Sequence, residues 1–148
     1  MTSRRQKNVL DDESRAVELL RHRRLRVTRV RLAVLAAMQV SDVPVTHGDL
    51  VRRLARRGHD RATIFRTLAT LTRVGIVRRI DVGDHVWRFS LARGTDPGPT
   101  ASFVCTSCGH IEVLESVELR VSMPRAPRVI AKREIELHVH GRCDACAQ

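Results

Sequence analysis

The sequence predicts an α+β protein of two domains, and three observations support this prediction. The 148 residues carry a formal net charge of +11, and the whole excess lies in residues 1–91, which hold 20 basic and 9 acidic side chains. All four cysteines lie in the charge-balanced remainder. Hydrophobic periodicity is helical before Gly75 and strand-like after it. We therefore expect one domain at 1–91, a linker at 92–101 and a second domain at 102–148.

Composition excludes membrane and secreted classes. No apolar run approaches the roughly 18–20 residues of a membrane helix, and the basic N-terminus lacks the apolar core of a secretion signal. With 43% hydrophobic residues, the chain can bury a core. We therefore expect a cytoplasmic protein with no membrane partner. Cysteines in that setting are more often metal ligands or redox groups than disulfides.

The first two helices are predicted from their boundary residues. Residues 1–11 are polar and charged, so we expect them to be frayed. The acidic pair at 12–13 can cap a helix that runs to about Arg24. A second helix begins at Thr28, and the segment Ser41–Pro44 breaks it.

The third and fourth helices have clearer start and stop signals. Thr46 and Asp49 have the S/T-x-x-D/E spacing of a capping box, and Gly58 ends the helix that follows them. Asp60 can cap a fourth helix over about Arg61–Val74.

A charged hairpin follows the fourth helix. Strand-like segments at 76–80 and 86–91 flank a Gly-Asp turn. In the second strand Trp87, Phe89 and Leu91 alternate toward one face. Helices followed by such a hairpin describe a winged helix-turn-helix.

The linker is marked by two glycines and two prolines in ten residues. Three short strands are predicted after it, at 102–104, 110–114 and 133–140. A helix is predicted between Glu115 and Arg133, where Pro124 and Pro127 limit its length. The C-terminal domain is therefore a small α/β unit.

The strongest chemical signal is a pair of C-x2-C motifs, formed by Cys105, Cys108, Cys143 and Cys146. Each motif can place two thiolates on one turn, and two turns complete a tetrahedron around one zinc ion per chain. Four thiolates leave no open coordination position, so the metal is assigned a structural role. A thioredoxin-like redox pair and two disulfides are the alternatives.

The fourth helix has two contrasting faces. On a helical wheel Ile64, Leu68 and Leu71 form a buried stripe. The opposite face carries Ala62, Arg66, Ala69 and Arg73, with Phe65 on one flank and Thr63 and Thr70 on the other. Alanines allow close approach, Thr and Phe can touch thymine methyls, and Arg can reach guanine or phosphate. This face therefore suits the major groove of double-stranded DNA.

Arginines outside this helix extend the candidate DNA surface. Those near the first inter-helix turn and on the hairpin could bind phosphates or enter a minor groove. The full candidate DNA-binding set is Arg26, Thr63, Phe65, Arg66, Arg73, Arg78 and Arg79.

Taken together, these motifs resemble the ferric uptake regulator (Fur) family of metal-responsive repressors. The matching pieces are Leu25-Arg-Val-Thr-Arg-Val-Arg31, Arg61-Ala-Thr-Ile-Phe-Arg-Thr-Leu-Ala-Thr-Leu71, Val74-Gly-Ile-Val-Arg-Arg-Ile80, Cys105-x-x-Cys-Gly109 and Gly141-Arg-Cys-Asp-Ala-Cys146. Their order and spacing cover about residues 15–146. The resemblance implies an N-terminal winged-helix domain and a C-terminal dimerisation domain with a four-cysteine zinc.

The resemblance also implies a homodimer on a palindromic operator. In the family, a Tyr-Arg pair on the recognition helix contacts bases and backbone, and Phe65 and Arg66 occupy those places here. Arg26 matches a basic residue that can enter the minor groove.

The sequence departs from the family at the regulatory metal site. The histidines usual at five and three residues before the first cysteine are Thr100 and Ser102. The usual acidic residue falls on Val113, and another usual histidine falls on Ile135. Metal sensing is therefore expected to be lost or rebuilt elsewhere, and no regulatory metal is assigned. The candidates for a rebuilt second site are His138 and His140, on one strand face with Glu136, and His85 on the hairpin turn.

The predicted function is therefore DNA-binding transcription regulation, with no enzymatic activity and no small-molecule substrate. The first alternative is a redox- or peroxide-responsive zinc-thiolate regulator, in which thiolate oxidation expels zinc. A thiol oxidoreductase is a further alternative, but no βαβ context surrounds either cysteine pair. A zinc hydrolase is disfavoured because the visible ligand set is closed.

Overall fold

The structure is a computed structural model that describes residues 3–92, 100–114, 120, 125, 128 and 136–147. The chain divides into two compact units, Met1–Ala92 and Arg93–Gln148. Among the described residues, no helix combines the length and the apolar character that crossing a membrane requires.

The described residues of the first unit, 3–92, form four α-helices and three short strands. The helices are α1 (Ser3–His22), α2 (Arg29–Gln39), α3 (His47–Leu54), which a 3₁₀ turn at Ala55–Arg57 extends, and α4 (Arg61–Arg73). The strands are β1 (Val45–Thr46), β2 (Val77–Ile80) and β3 (Arg88–Leu91). This is the predicted order of helices followed by a hairpin.

Helix α1 begins earlier than predicted. It starts at Ser3, so the expectation that the helix begins at the acidic pair at 12–13 is wrong, and residues 3–11 form part of the helix. The acidic pair at 12–13 lies inside the helix and does not cap it. Residues 3–11 contain no glycine or proline, so nothing in their propensities stops the helix from extending toward the N-terminus.

The predicted caps of α3 and α4 are confirmed, and the predicted start of α2 at Thr28 proves to be its cap. The Thr28 side chain accepts a hydrogen bond from the backbone N–H of Arg31. The Thr46–Asp49 capping box is complete, with the Asp49 N–H donating to Thr46 Oγ1 at 3.1 Å and the Thr46 N–H donating to Asp49 Oδ2 at 2.8 Å. Asp60 accepts from the N–H of Thr63 at 2.9 Å. These bonds satisfy donors that a helix start leaves free, and they fix where α2, α3 and α4 begin.

The hairpin strands belong to a three-stranded antiparallel sheet in the order β1-β3-β2. Strand β1 was not predicted, because two residues are too few to show an alternating pattern. Both hairpin strands begin later than predicted, and Trp87 lies outside β3. Phe89 is buried in the core, whereas Trp87 is exposed, so the predicted apolar alternation does not extend to Trp87.

The core of this unit is built on the apolar stripe of α4. Ile64, Leu68 and Leu71 are completely buried, as predicted, against Leu20 of α1, Leu35 of α2 and other core residues. Each such side chain contributes about 1.5–3 kcal/mol when fully removed from water. The packing of this stripe directs the opposite face of α4 toward solvent.

The second unit contains a three-stranded sheet in the order β5-β4-β6, formed by Thr100–Cys105 (β4), Ile111–Leu114 (β5) and Glu136–Gly141 (β6). All three predicted strands are present, and β4 includes the last two residues of the predicted linker. The first residues of the third predicted strand, 133–135, lie outside the described residues. The rest of that linker, at 93–99, and the helix predicted between Glu115 and Arg133 lie outside the described residues, apart from three isolated positions.

Candidate functional site

The four cysteines converge in the second unit. Their Sγ atoms all lie within 4.8 Å of one another, and those of Cys108 and Cys143 are 3.7 Å apart. A tetrahedral zinc with Zn–S bonds of about 2.3 Å requires sulfur–sulfur distances of about 3.8 Å. The cluster therefore fits zinc. In the part of the chain that the structure describes, it is the one group of three or more Cys, His, Asp or Glu ligands that converges in this way.

The sheet topology explains why the two motifs meet. Strand β4 pairs with β6 in parallel, and Cys105 lies opposite Gly141 at the end of both strands. The motif turns that leave these strands therefore lie at the same end of the sheet. A hydrogen bond of 2.8 Å from the N–H of Thr106 to the carbonyl of Gly141 ties the turns together. Gly109 has φ of 72°, which a residue with a side chain adopts only with strain.

The sulfurs differ in their electrostatic surroundings. Cys105 is 2% exposed. Backbone N–H groups of Cys108 and Cys143 point at its sulfur and lower the pKa of this thiol to about 6. A hydrogen bond with Cys143 raises the pKa of Cys146 to about 12. The Cys105 thiol therefore ionises more readily than an ordinary thiol. The Cys146 thiol ionises less readily, and its proton would be displaced when the sulfur binds a cation.

Among the described residues of the second unit, His138 and His140 belong to no group of three or more converging ligands. His138 Nδ1 lies 2.7 Å from Oγ of Ser102, which is completely buried, and its Nε2 lies 3.6 Å from Oε2 of Glu136. His140 is exposed on the same strand. His85 belongs to the hairpin turn of the other unit, where its φ is 61°. Both ring nitrogens of His138 therefore face other side chains, Nδ1 that of Ser102 and Nε2 that of Glu136.

The predicted outer face of α4 is exposed. Ala62, Arg66, Ala69 and Arg73 are all exposed, Thr63 is half-buried, and Phe65 is 46% exposed. Arg66 Nη2 donates to Thr63 Oγ1 at 3.1 Å, and the Thr63 hydroxyl donates in turn to Asp60. The helix-capping residue thus helps to orient the guanidinium of Arg66.

A contact between two helices supports Phe65. The ring of His47, at the start of α3, meets it edge to face, with the centroids 5.7 Å apart and the planes at 82°. His47 Nε2 also lies 3.0 Å from the carbonyl oxygen of Arg61, so this nitrogen is the donor. Sequence reasoning missed His47 as a support for α4, because no local pattern signals a pairing across 18 positions.

The remaining candidate arginines lie at two places in the first unit. Arg26 is exposed beyond the end of α1, and its carbonyl accepts a hydrogen bond from the guanidinium of Arg31. Arg78 and Arg79 lie on β2, where Arg78 is half-buried and Arg79 is exposed. The guanidinium carbon of Arg79 lies 4.4 Å from the ring centroid of Trp87.

Comparisons with known proteins agree with this architecture. The model of the ferric uptake regulator family matches residues 22–142. The zinc uptake regulation protein of Escherichia coli K12 is 28% identical over 141 residues, which cover 91% of this chain and 81% of that protein.

Two solved structures show the same fold. A zinc uptake regulator complexed with zinc and DNA has a TM-score of 0.63 at 22% identity, covering 91% of this chain and 92% of that one. The ferric uptake regulator of Pseudomonas aeruginosa with manganese has a TM-score of 0.60 at 21% identity, covering 87% and 98%. Since the family model spans most of the sequence, the chain belongs to the ferric uptake regulator family, whose members are transcription regulators and not enzymes.

Proposed function

We propose that this chain binds a palindromic operator in double-stranded DNA as a homodimer. The observation that carries the proposal is the exposed face of α4, where two arginines and two alanines project from a helix whose other face is locked into the core. Small residues let the backbone approach base edges, and Arg can bond both acceptors of guanine. A solved structure with this fold is of a zinc uptake regulator in complex with DNA.

In this proposal the first structural unit binds DNA and the second forms the dimer. The first presents α4 and the hairpin to DNA, and it carries the whole +11 excess of charge. The second holds a structural zinc at Cys105, Cys108, Cys143 and Cys146, and it joins two chains. A two-fold dimer presents two copies of α4, which match the two halves of a palindrome. Zinc supplies a cross-link between β4 and β6 and no open position for chemistry.

Duplex binding is expected to depend steeply on salt. Each phosphate that the protein neutralises contributes about −0.9 to the slope of log affinity against log salt. The operator can be selected from random duplexes with the zinc-loaded full chain, and its affinity measured by fluorescence anisotropy of labelled DNA between about 50 and 200 mM salt. Sedimentation of the complex gives the number of chains per duplex. Failure to enrich any duplex, or a slope near zero, would contradict the proposal.

We also propose that DNA binding has lost its usual metal control. Thr100 and Ser102 stand where the family resemblance implies histidines, and His138 is hydrogen-bonded to Ser102. With the structural zinc in place, added Zn²⁺, Fe²⁺ or Mn²⁺ is expected to leave operator affinity unchanged. A gain of about fivefold or more, the scale of ordinary allosteric coupling, would mean that the site is rebuilt. His138→Ala and His140→Ala, with His22→Ala as a surface control, would then locate it.

A further inference from the structure

The tip of the β2–β3 hairpin exposes apolar surface in an unusual setting. Trp87, the single tryptophan of the chain, is 44% exposed, and the adjacent Val86 is 41% exposed. Isolated exposed apolar residues are common on protein surfaces. Here two are consecutive, one of them has a large ring, and both lie in a unit dominated by arginine.

Arg79 converts this apolar surface into a mixed one. Its guanidinium lies 4.4 Å from the indole centroid, which is the geometry of a cation–π contact. Arg79 itself is exposed, and in the ladder it lies opposite Phe89, whose ring is anchored in the core. The Trp87–Arg79 stack therefore presents a flat apolar ring beside a fixed positive charge.

The turn that carries the stack is held by its own hydrogen bonds. The two oxygens of Asp84 accept from the guanidinium of Arg88 at 2.9 and 2.7 Å, and one of them also accepts from the N–H of Val86 at 3.1 Å. Asp81 accepts from the N–H of Gly83 at 2.9 Å. The Arg88 guanidinium lowers the pKa of Asp84 to about 2, so its carboxylate stays charged in more acidic solution than an ordinary aspartate does. A preordered turn loses little entropy when it binds a partner.

We propose that the Trp87–Arg79 stack is a second DNA contact, with the indole packed on deoxyribose and the guanidinium on the adjoining phosphate. This inference rests on the proposed function. The sugar–phosphate backbone offers apolar rings alternating with negative charges, which is the complement of an indole beside a guanidinium. The hairpin also begins directly after α4, in the same compact unit. The stack therefore adds affinity and orientation without reading bases.

Fluorescence of the intact zinc-loaded chain tests this contact directly. The chain has one tryptophan and no tyrosine, so its emission reports on Trp87 alone. Addition of the selected duplex is expected to quench or shift that emission and to protect the indole from acrylamide. Anisotropy of the labelled duplex is followed in the same samples. Binding of the duplex with unchanged emission and unchanged acrylamide access would overturn the inference and leave the proposed function intact. No binding at all would overturn the proposed function itself.

Substitutions separate the roles of the ring and the charge. Trp87→Ala is expected to weaken duplex binding about tenfold by losing half-exposed apolar surface that binding would cover, whereas Trp87→Phe keeps most of the affinity. Arg79→Gln is expected to reduce the salt slope by about 0.9, and Arg79→Lys to preserve it. Val40→Ala, which trims an exposed apolar side chain outside the hairpin, is the matched control. Equal affinities for Trp87→Ala and Val40→Ala, with circular dichroism showing both folded, would refute the contact.

Discussion

Removal of zinc with a chelator is expected to unfold the second unit of this protein while the first stays folded. A structural zinc supplies about 10–16 kcal/mol of apparent binding free energy, and a unit that folds around the ion loses that contribution without it. Among the described residues of this unit, the buried hydrophobic side chains are only those of Ala101, Cys105 and Ile111. The apolar support that these described residues give the sheet is therefore small, and a zinc ion that joins β4 to β6 would add to it.

The measurement combines metal content with two structural signals. Mass spectrometry of the purified chain is expected to count one zinc per chain, and chelation should remove it together with the part of the strand signal in circular dichroism that the second unit contributes. Emission from Trp87, which lies in the other unit, should be unchanged by chelation. Cys108→Ser is expected to reproduce the loss, and Ser107→Ala, one residue away in the same turn, should not. A metal-free chain with an unaltered spectrum would refute the structural role.

Local signals in the sequence placed most of the elements that orient the candidate site. The Thr46–Asp49 capping box and the Asp60 cap depend on residues three positions apart, so their spacing alone predicted where α3 and α4 begin. The buried stripe of α4 depends on helical periodicity and was predicted correctly for the same reason. The convergence of the four cysteines could be anticipated because metal-binding motifs require particular residue types at particular spacings.

Features that depend on distant pairing were not predictable in this way. The short strand β1 is defined by its pairing with β3 and has no pattern of its own. The contact between His47 and Phe65 joins two helices, and the bond between Ser102 and His138 joins two parallel strands. Each of these interactions depends on the tertiary fold, so composition and periodicity along the chain do not predict it.

The turn of the β2–β3 hairpin shows a second limit, at a single residue. The alternating pattern assigned Trp87 to the same face as Phe89. Strand β3 begins only at Arg88, so Trp87 lies in the turn before it, and its indole packs on Arg79. Turn geometry here depends on Asp84 holding Arg88, a contact between side chains four residues apart. Trp87, which the pattern assigned to the same face as Phe89, is therefore exposed to solvent.

Arg66→Ala is expected to weaken binding to the selected duplex by about 1–3 kcal/mol, roughly 5- to 150-fold. The guanidinium of Arg66 projects from the exposed face of α4 and donates a hydrogen bond to Thr63, whose hydroxyl donates to Asp60. These bonds restrict the orientation of the guanidinium before DNA binds. A donor held in advance loses less entropy when it binds, so its removal costs more than the loss of a free surface arginine.

The pattern of losses should show whether Arg66 reads a base or holds a phosphate. If it reads a base, Arg66→Ala lowers affinity for the selected duplex and reduces the preference over a scrambled duplex, whereas a phosphate contact would weaken both duplexes equally and reduce the salt slope by about one. We expect the first pattern, with Arg66→Lys failing to restore the preference because an ammonium cannot bond two acceptors in the fork geometry of a guanidinium. Arg57→Ala, at an exposed arginine of the 3₁₀ turn, controls for loss of one positive charge.

Because Arg66 is exposed, its removal should change the free energy of unfolding by less than about 0.5 kcal/mol. Unchanged affinity in a folded Arg66→Ala protein would therefore mean that α4 does not present this face to DNA.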